Sequence, residues 1–228
     1  GTGMLSRLFK RFDHYLEEKG LFAELGHIID ASIIEAPKQR NTREENAKIK
    51  EGKVPDSFKE KQHKLRQKDV DARWATKGGK TYYGYKNHIN VDVKNKIIRA
   101  FEVTASNTHD KWSLGKLLDA VPKNDNRVWA DGAYYSAEEE NKLKDKGYES
   151  RIINRTKKFP EYSAIARENK RRSKIRKRVE HVFGFIQNSM RGKFIRTIGM
   201  ARAKIKIGLM NLIYNFCRYE QLCRIGAS

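Results

Sequence analysis

Cysteine is scarce in this chain of 228 residues, and the two present, Cys217 and Cys223, stand six apart near the C-terminus. They make neither a zinc-ligand spacing nor a disulfide framework, so they read as reduced, buried thiols. The six histidines lack metal-ligand spacing, which argues against zinc. No apolar run is long enough to span a bilayer, and no signal peptide is visible, so a membrane is not an expected partner. Acid is also in short supply. Asp and Glu number 28 against 49 Lys and Arg, a formal net charge of +21 with pI near 9.9. So basic a surface repels itself unless a polyanion screens it. Nucleic acid fits best, because each neutralised phosphate releases a condensed counterion. A ribosomal surface, an anionic membrane or a merely basic soluble protein is the weaker reading.

The apolar fraction is 38%, low for a globular protein, but those residues fall in periodic clusters and imply a folded domain with a charged surface. Met4 to Gly26 reads as an amphipathic helix interrupted by Gly20. Ile28 to Ile34 is a short β-branched run, the pattern of a buried strand. From residue 37 to 80 the periodicity collapses, with 14 Lys/Arg against 7 Asp/Glu. That stretch is too long for an ordinary connection and reads as a basic functional insertion or a disordered excursion. Thr81 to Val93 then alternates, with Tyr83, Tyr85, Ile89, Val91 and Val93 on one face and Tyr82, Lys86, His88, Asn90 and Asp92 on the other. A turn at Lys94-Asn95-Lys96 returns the chain as a second strand, Ile97 to Val103.

A helix marked by Trp112 to Val121 follows His109-Asp110, and the ordinary structural use of the residues before it is a cap by Asn107, Thr108 or Asp110. Then come a short strand over 128–130, a polar helix over 137–146, a short strand over 150–154, and a long helix from about Ser173 to Met190. A last apolar helix carries Ile205 to Phe216. Antiparallel strands first, then strands alternating with helices, imply an α/β fold with a mixed sheet flanked by helices.

Two acids sit in unusual places. Asp30 lies inside the first β-branched run, and Asp131 at the carboxyl end of Val128-Trp129-Ala130. Charge is rare there unless paired or bound to metal, and sites in open α/β sheets gather at the carboxyl ends of strands. Glu180 borders the apolar stripe of the long helix, four residues after Arg176. Three carboxylates brought together repel one another. Two divalent ions remove that repulsion and can clamp both oxygens of a phosphoryl transfer. An ordinary structural use is equally open: Asp30 as a strand-end residue, Asp131 opening a turn before Gly132, and Glu180 paired with Arg176.

Several blocks in order resemble the DDE transposases of bacterial insertion sequences, in the group named after insertion sequence five. They are IIDASIIEAPKQRN, KLRQKDVDARWATKGGKTYYGYKNHINVDV, VWADGAYYS, RRSKIRKRVEHVFG and RTIGMARAKIKIGLMNLIYN, and the resemblance runs from about Leu5 to Leu222. It implies a ribonuclease-H-like fold and a catalytic, metal-binding Asp30, Asp131 and Glu180 with two Mg²⁺ or Mn²⁺ ions. It also implies cleavage at transposon ends to free 3′-hydroxyls, their joining to target DNA, a homodimer on DNA, and a cytoplasmic, nucleoid-associated location. Ser173 and Gln187 stand where related transposases often carry Tyr and Lys. On this reading, residues 1–27 are a residual N-terminal helical segment of a catalytic fragment or truncated gene product. Residues 28–222 are the catalytic domain with its insertion, and 223–228 a tail.

Lys170 to Arg178 holds seven basic residues in nine. Beside Glu180, Lys170, Arg171, Arg172, Lys174 and Arg176 suit a phosphate-tracking patch. Lys86 and His88 share a strand face with Tyr82, a mix suited to backbone contact and stacking. Arg66, Arg73 and Lys77 of the insertion are further expected DNA contacts, and the resemblance adds His109 as a site neighbour. Trp74 and Trp129 read as core, with a DNA contact open at Trp74. Two other functions stay open: a non-catalytic nucleic-acid-binding remnant, and a structure-specific nuclease on the same fold.

Overall fold

Gly26 starts the sheet. Its φ of 103° suits glycine, and a Cβ there would meet the Trp129 ring and the Arg127 carbonyl at 2.5 Å. That close approach sets strand β1 (His27–Glu35) against β5 (Arg127–Ala130), parallel, with His27 opposite Val128 and Ile29 opposite Ala130. The computed structural model describes residues 2–22, 25–122, 126–154 and 162–226.

On its other side β1 pairs antiparallel with β3 (Lys80–Asp92), which pairs antiparallel with β4 (Ile98–Ala105). Strand β6 (Glu149–Ser150) lies parallel to β5. The order β4-β3-β1-β5-β6, with β3 antiparallel to β1, is consistent with a ribonuclease-H-like sheet. The expected strand over 150–154 is shorter as a ladder. Even so, the amides of Arg151 and Ile153 still donate to Val128 and Ala130 at 2.7 and 3.1 Å, so the chain keeps running beside β5.

Helices cover both faces, so β1 alternates between two cores. Ile28 and Ile34 join the cluster packed by Val179, Val182, Ile207 and Met210, while Ile29 joins Leu114, Leu117 and Leu143. The first face carries α1 (Thr2–Glu18) and the long C-terminal helix, and the second carries α5 (Lys111–Asp119) and α6 (Ala137–Asp145). Helix α1 ends earlier than its sequence pattern suggested. Gly20 takes φ 65°, and 23–24 lie outside the described residues.

This two-sided cover overturns the reading of β3 as polar on one side. His88, Asn90 and Asp92 are as buried as Ile89 and Val91. Except for His88 Nδ1, which has no partner, these side chains find internal partners instead of water. Asn90 Oδ1 accepts from His27 Nδ1 at 3.1 Å and its amide nitrogen donates to the Leu117 carbonyl, and Asn87 exchanges two hydrogen bonds with Asn211 at 2.8 and 3.1 Å.

The segment from 37 to 80 is ordered, not a structureless excursion. It holds α2 (Arg43–Lys50), α3 (Asp56–Lys59), α4 (Gln62–Gln67) and β2 (Arg73–Lys77), and β2 pairs antiparallel with the start of β3. Thr42 and Glu45 form a capping box at α2. Glu45 also accepts from Lys64 at 2.7 Å, and its carboxyl is lowered to about 2, first by the Lys64 hydrogen bond. Tyr85 donates to the Asp69 carboxylate at 2.7–2.9 Å. Asp69 and Asp71 in turn accept from the Gly199 and Met200 amides at the N-terminus of the last helix.

The expected helix from Ser173 to Met190 is instead three pieces. Helix α7 (Tyr162–Arg176) and α8 (Arg178–Gly184) meet at Lys177, where the Glu180 amide donates to the Lys177 carbonyl, an i→i+3 bond tighter than α. A π-turn over Phe185–Ser189 follows, and then α9 (Met200–Arg224). Cys217 is half-buried and Cys223 exposed, against the expectation of two buried thiols, because they lie off the face of α9 that buries Leu222. Trp129 is core, but Trp74 is 47% exposed because β2 is an outer strand.

Candidate active site

Asp30 and Asp131 follow Ile29 and Ala130, the last paired residues of two adjacent parallel strands. Parallel neighbours stand about 4.8 Å apart. By alternation, each acid faces the side of the sheet that Ile28 and Trp129 face, toward α8 and α9. Asp30 Oδ1 accepts from the Ala31 amide at 2.8 Å, and Asp131 Oδ1 from the Gly132 amide at 2.7 Å. The Asp131–Gly132 turn continues with Tyr134 donating its amide to the Asp131 carbonyl.

Arg176, at the end of α7, reaches back over the sheet. Its Nη1 donates to Asp30 Oδ2 at 2.7 Å and its Nη2 to Glu180 Oε1 at 3.2 Å. The Arg176 side chain is 18% exposed, that of Asp30 17% and that of Glu180 57%. The Asp30 carboxyl is raised above its ordinary range, first by burial. The Ala31 amide, Arg176 and Lys77 oppose the shift, and the Asp131 charge adds to it. Gln187, in the π-turn, donates to Ser32 Oγ at 2.6 Å, fixing that turn two residues along β1 from Asp30.

A residue the sequence patterns did not single out lies in the turn after Asp131. Tyr134 is 1% exposed, and its phenol oxygen has no hydrogen-bond partner. Burial, then Asp30, Asp110 and Asp131, hold that phenol protonated well above its ordinary range. The only sequence hint was its place in VWADGAYYS, three residues after Asp131.

Among the described residues no three His, Cys, Asp or Glu side chains form a ready-made metal-ion group. The donor set nonetheless suits a hard divalent cation: two adjacent carboxylates with a third linked through Arg176, all oxygen. The buried Arg176 Nε, without a partner, leaves a donor for a further acceptor such as phosphate.

The other expected contacts scatter. Lys86 is 15% exposed and donates to Asp110 and to the Thr108 carbonyl, both at 2.7 Å. The cap left open for α5 is not made by the Asp110 side chain, whose carboxylate engages Lys86. With exposed His109, Lys86 and Asp110 line a cleft of about 360 Å³ that reaches Ala133 beside the Asp131 turn. His88 is fully buried, with Nε2 against Thr104 Oγ1 at 2.8 Å and its pKa lowered by burial to about 4. β3 is covered on both sides there, so this ring offers DNA no surface. Arg73 is spent on structure, donating to the carbonyls of Ile49, Val70 and Ala72. Arg172 donates to the Ile152 carbonyl and to Glu168. Lys170, Arg171 and Lys174 on α7, Arg66 on α4 and Lys77 on β2 are exposed.

No helix among the described residues is long and apolar enough to cross a membrane. No solved structure matches the chain. The family described as the transposase DDE domain matches residues 22–216, a span holding β1, β5, α8 and all three acids considered above. The chain belongs to that family of transposases, proteins whose partner is DNA.

Proposed function

We propose that this chain is the catalytic part of an insertion-sequence transposase, of the group named after insertion sequence five. It cuts transposon ends and joins the freed 3′-hydroxyls to target DNA. The observation that carries this reading is the side-by-side placement of Asp30 and Asp131, with Arg176 bridging Asp30 to Glu180. Asp30, Asp131 and Glu180 would hold two Mg²⁺ or Mn²⁺ ions, which supply the Lewis acidity for attack by water or a 3′-hydroxyl.

The protein's own groups do the rest. The Ala31 and Gly132 amides each fix one oxygen of Asp30 and Asp131, and Arg176 holds the other oxygen of Asp30. Burial excludes water and strengthens every charge interaction around Asp30. Lys170, Arg171 and Lys174 lie on the helix that ends at Arg176 and track the DNA backbone toward the acids, with Lys77 and Arg66 as further contacts. Lys86 and His109 line the cleft beside Asp131 and contact the strand close to the scissile bond. A dimer on paired DNA ends in the bacterial nucleoid completes the proposal.

Strand joining is the discriminating assay. A duplex carrying the element's end, incubated with plasmid and Mg²⁺, should be cut and then covalently joined. Cleavage without joining favours a nuclease on the same fold. DNA binding with neither reaction favours a non-catalytic remnant, a reading to which the exposure of Glu180 lends some support.

A further inference from the structure

We propose that Arg176 is a resident counter-cation, which keeps divalent metal off Asp30 until a DNA phosphate draws it away. This inference rests on the metal-binding reading of Asp30, Asp131 and Glu180. Arg176 Nη1 sits 2.7 Å from Asp30 Oδ2, the oxygen that the Ala31 amide leaves available. A guanidinium at that distance takes the position a cation would take, and two positive groups cannot share it. The same guanidinium holds Glu180 at 3.2 Å, turned to a largely exposed position. One side chain therefore engages two of the three acids and neutralises their mutual repulsion without metal.

Arg176 cannot simply leave. Asp30 and Asp131 end adjacent strands, and the Asp131 charge already raises the Asp30 carboxyl. Withdrawing the guanidinium removes from Asp30 a charge that opposes this effect, and an incoming cation restores one. Arg176 in turn needs a new anion, and its helix says where one comes from. Lys170, Arg171 and Lys174 present exposed positive charge along α7 leading to it. Its Nε is buried without a partner, one more donor for a bidentate grip on phosphate. Metal and DNA then help each other bind, and the coupling is reciprocal: DNA raises metal affinity by the factor by which metal raises DNA affinity.

The test titrates Mn²⁺ into the whole chain, reading free Mn²⁺ by electron paramagnetic resonance, with and without a short DNA duplex. A variant with Asp30→Asn and Asp131→Asn supplies the background from Mn²⁺ bound to DNA. Without DNA, Arg176→Gln is expected to bind Mn²⁺ about tenfold tighter than the native chain. Adding DNA should tighten the native chain by a similar factor and leave Arg176→Gln nearly unchanged. If Arg176→Gln binds Mn²⁺ no tighter than the native chain without DNA, the proposal is overturned while the carboxylate reading stands. If the double asparagine variant binds Mn²⁺ as the native chain does, the carboxylate reading falls and takes this one with it. Should circular dichroism show Arg176→Gln unfolded, Arg176→Lys carries the test, since lysine cannot fork to both acids. A smaller rise in affinity supports the proposal, and equal or weaker binding overturns it.

Discussion

Asp30 and Asp131 lie 101 positions apart in sequence, yet each is the next residue after a directly paired couple, Ile29 and Ala130. The register of two short strands therefore sets the spacing of the acids. A one-residue slip of either strand would turn its aspartate to the opposite face. Gly26, where a side chain would strike Trp129, helps hold that register.

Tyr134→Phe tests the orphaned phenol. Removing an unpaired buried hydroxyl costs no hydrogen bond and relieves a desolvated polar group, a stabilisation of up to about 1 kcal/mol. The metal-free variant should melt at the native temperature or about 2–4 °C above it. Its DNA-cleavage rate should fall if the hydroxyl serves the site. A lower melting temperature would mean the phenol has a structural partner.

Asp92 gives a pH signature away from the site. Its carboxyl is raised to about 6, first by burial, against the Asn95 and Lys94 amides and the Arg99 charge. An aspartate whose folded pKa exceeds its unfolded value, about 3.9, binds more protons folded than unfolded. Stability from this group therefore falls as pH rises from about 4 to about 6. Asp92→Asn keeps an acceptor for the Asn95 amide. It should be more stable than the native chain at pH 7, by an amount on the order of 2 kcal/mol. The gap should close near pH 4, which denaturant melts at the two pH values would show.

Tyr85→Phe probes how the segment from 37 to 80 is anchored. The phenol donates to the Asp69 carboxylate, which also accepts from the Gly199 amide before α9. A hydrogen bond to a charged acceptor contributes about 1.5–3 kcal/mol. Its removal should speed limited proteolysis within 37–80 more than elsewhere. Uniform protection, identical to the native pattern, would show the segment anchored by other contacts.

Salt dependence tests the proposed DNA path. Replacing Lys170, Arg171 and Lys174 together with alanine should weaken DNA binding and flatten the slope of log affinity against log salt by about 0.9 for each phosphate no longer neutralised. Arg73→Ala, whose guanidinium is spent on three backbone carbonyls, should lower stability and leave that slope alone.

Much of this fold is legible in the sequence because apolar periodicity reports burial. Ile28 to Ile34, Val128 to Ala130 and the stripe of α9 each announce an element. Alternation misleads at β3, where His88, Asn90 and Asp92 look solvent-facing but are buried with internal partners. Polarity reports a demand for hydrogen bonds, which protein can meet as well as water. The order within 37–80 is hidden for a similar reason, since the Asp69 node and the Thr42–Glu45 box are polar anchors without an apolar period. At the site, an acid inside a β-branched run is visible as an oddity. The Arg176–Asp30 bond spans 146 positions and leaves no periodic trace. Tyr134 is silent because a buried tyrosine usually means only core.

The central claim is that Asp30, Asp131 and Glu180 share divalent cations. Crystals grown with a short DNA duplex and soaked in Mn²⁺ address it through anomalous scattering at the manganese edge. The account predicts two strong peaks, roughly 3.5–4 Å apart, bounded by Asp30 and Asp131 with Glu180 turned inward. Peaks only at remote carboxylates, with Arg176 still seated on Asp30 beside bound DNA, would contradict it.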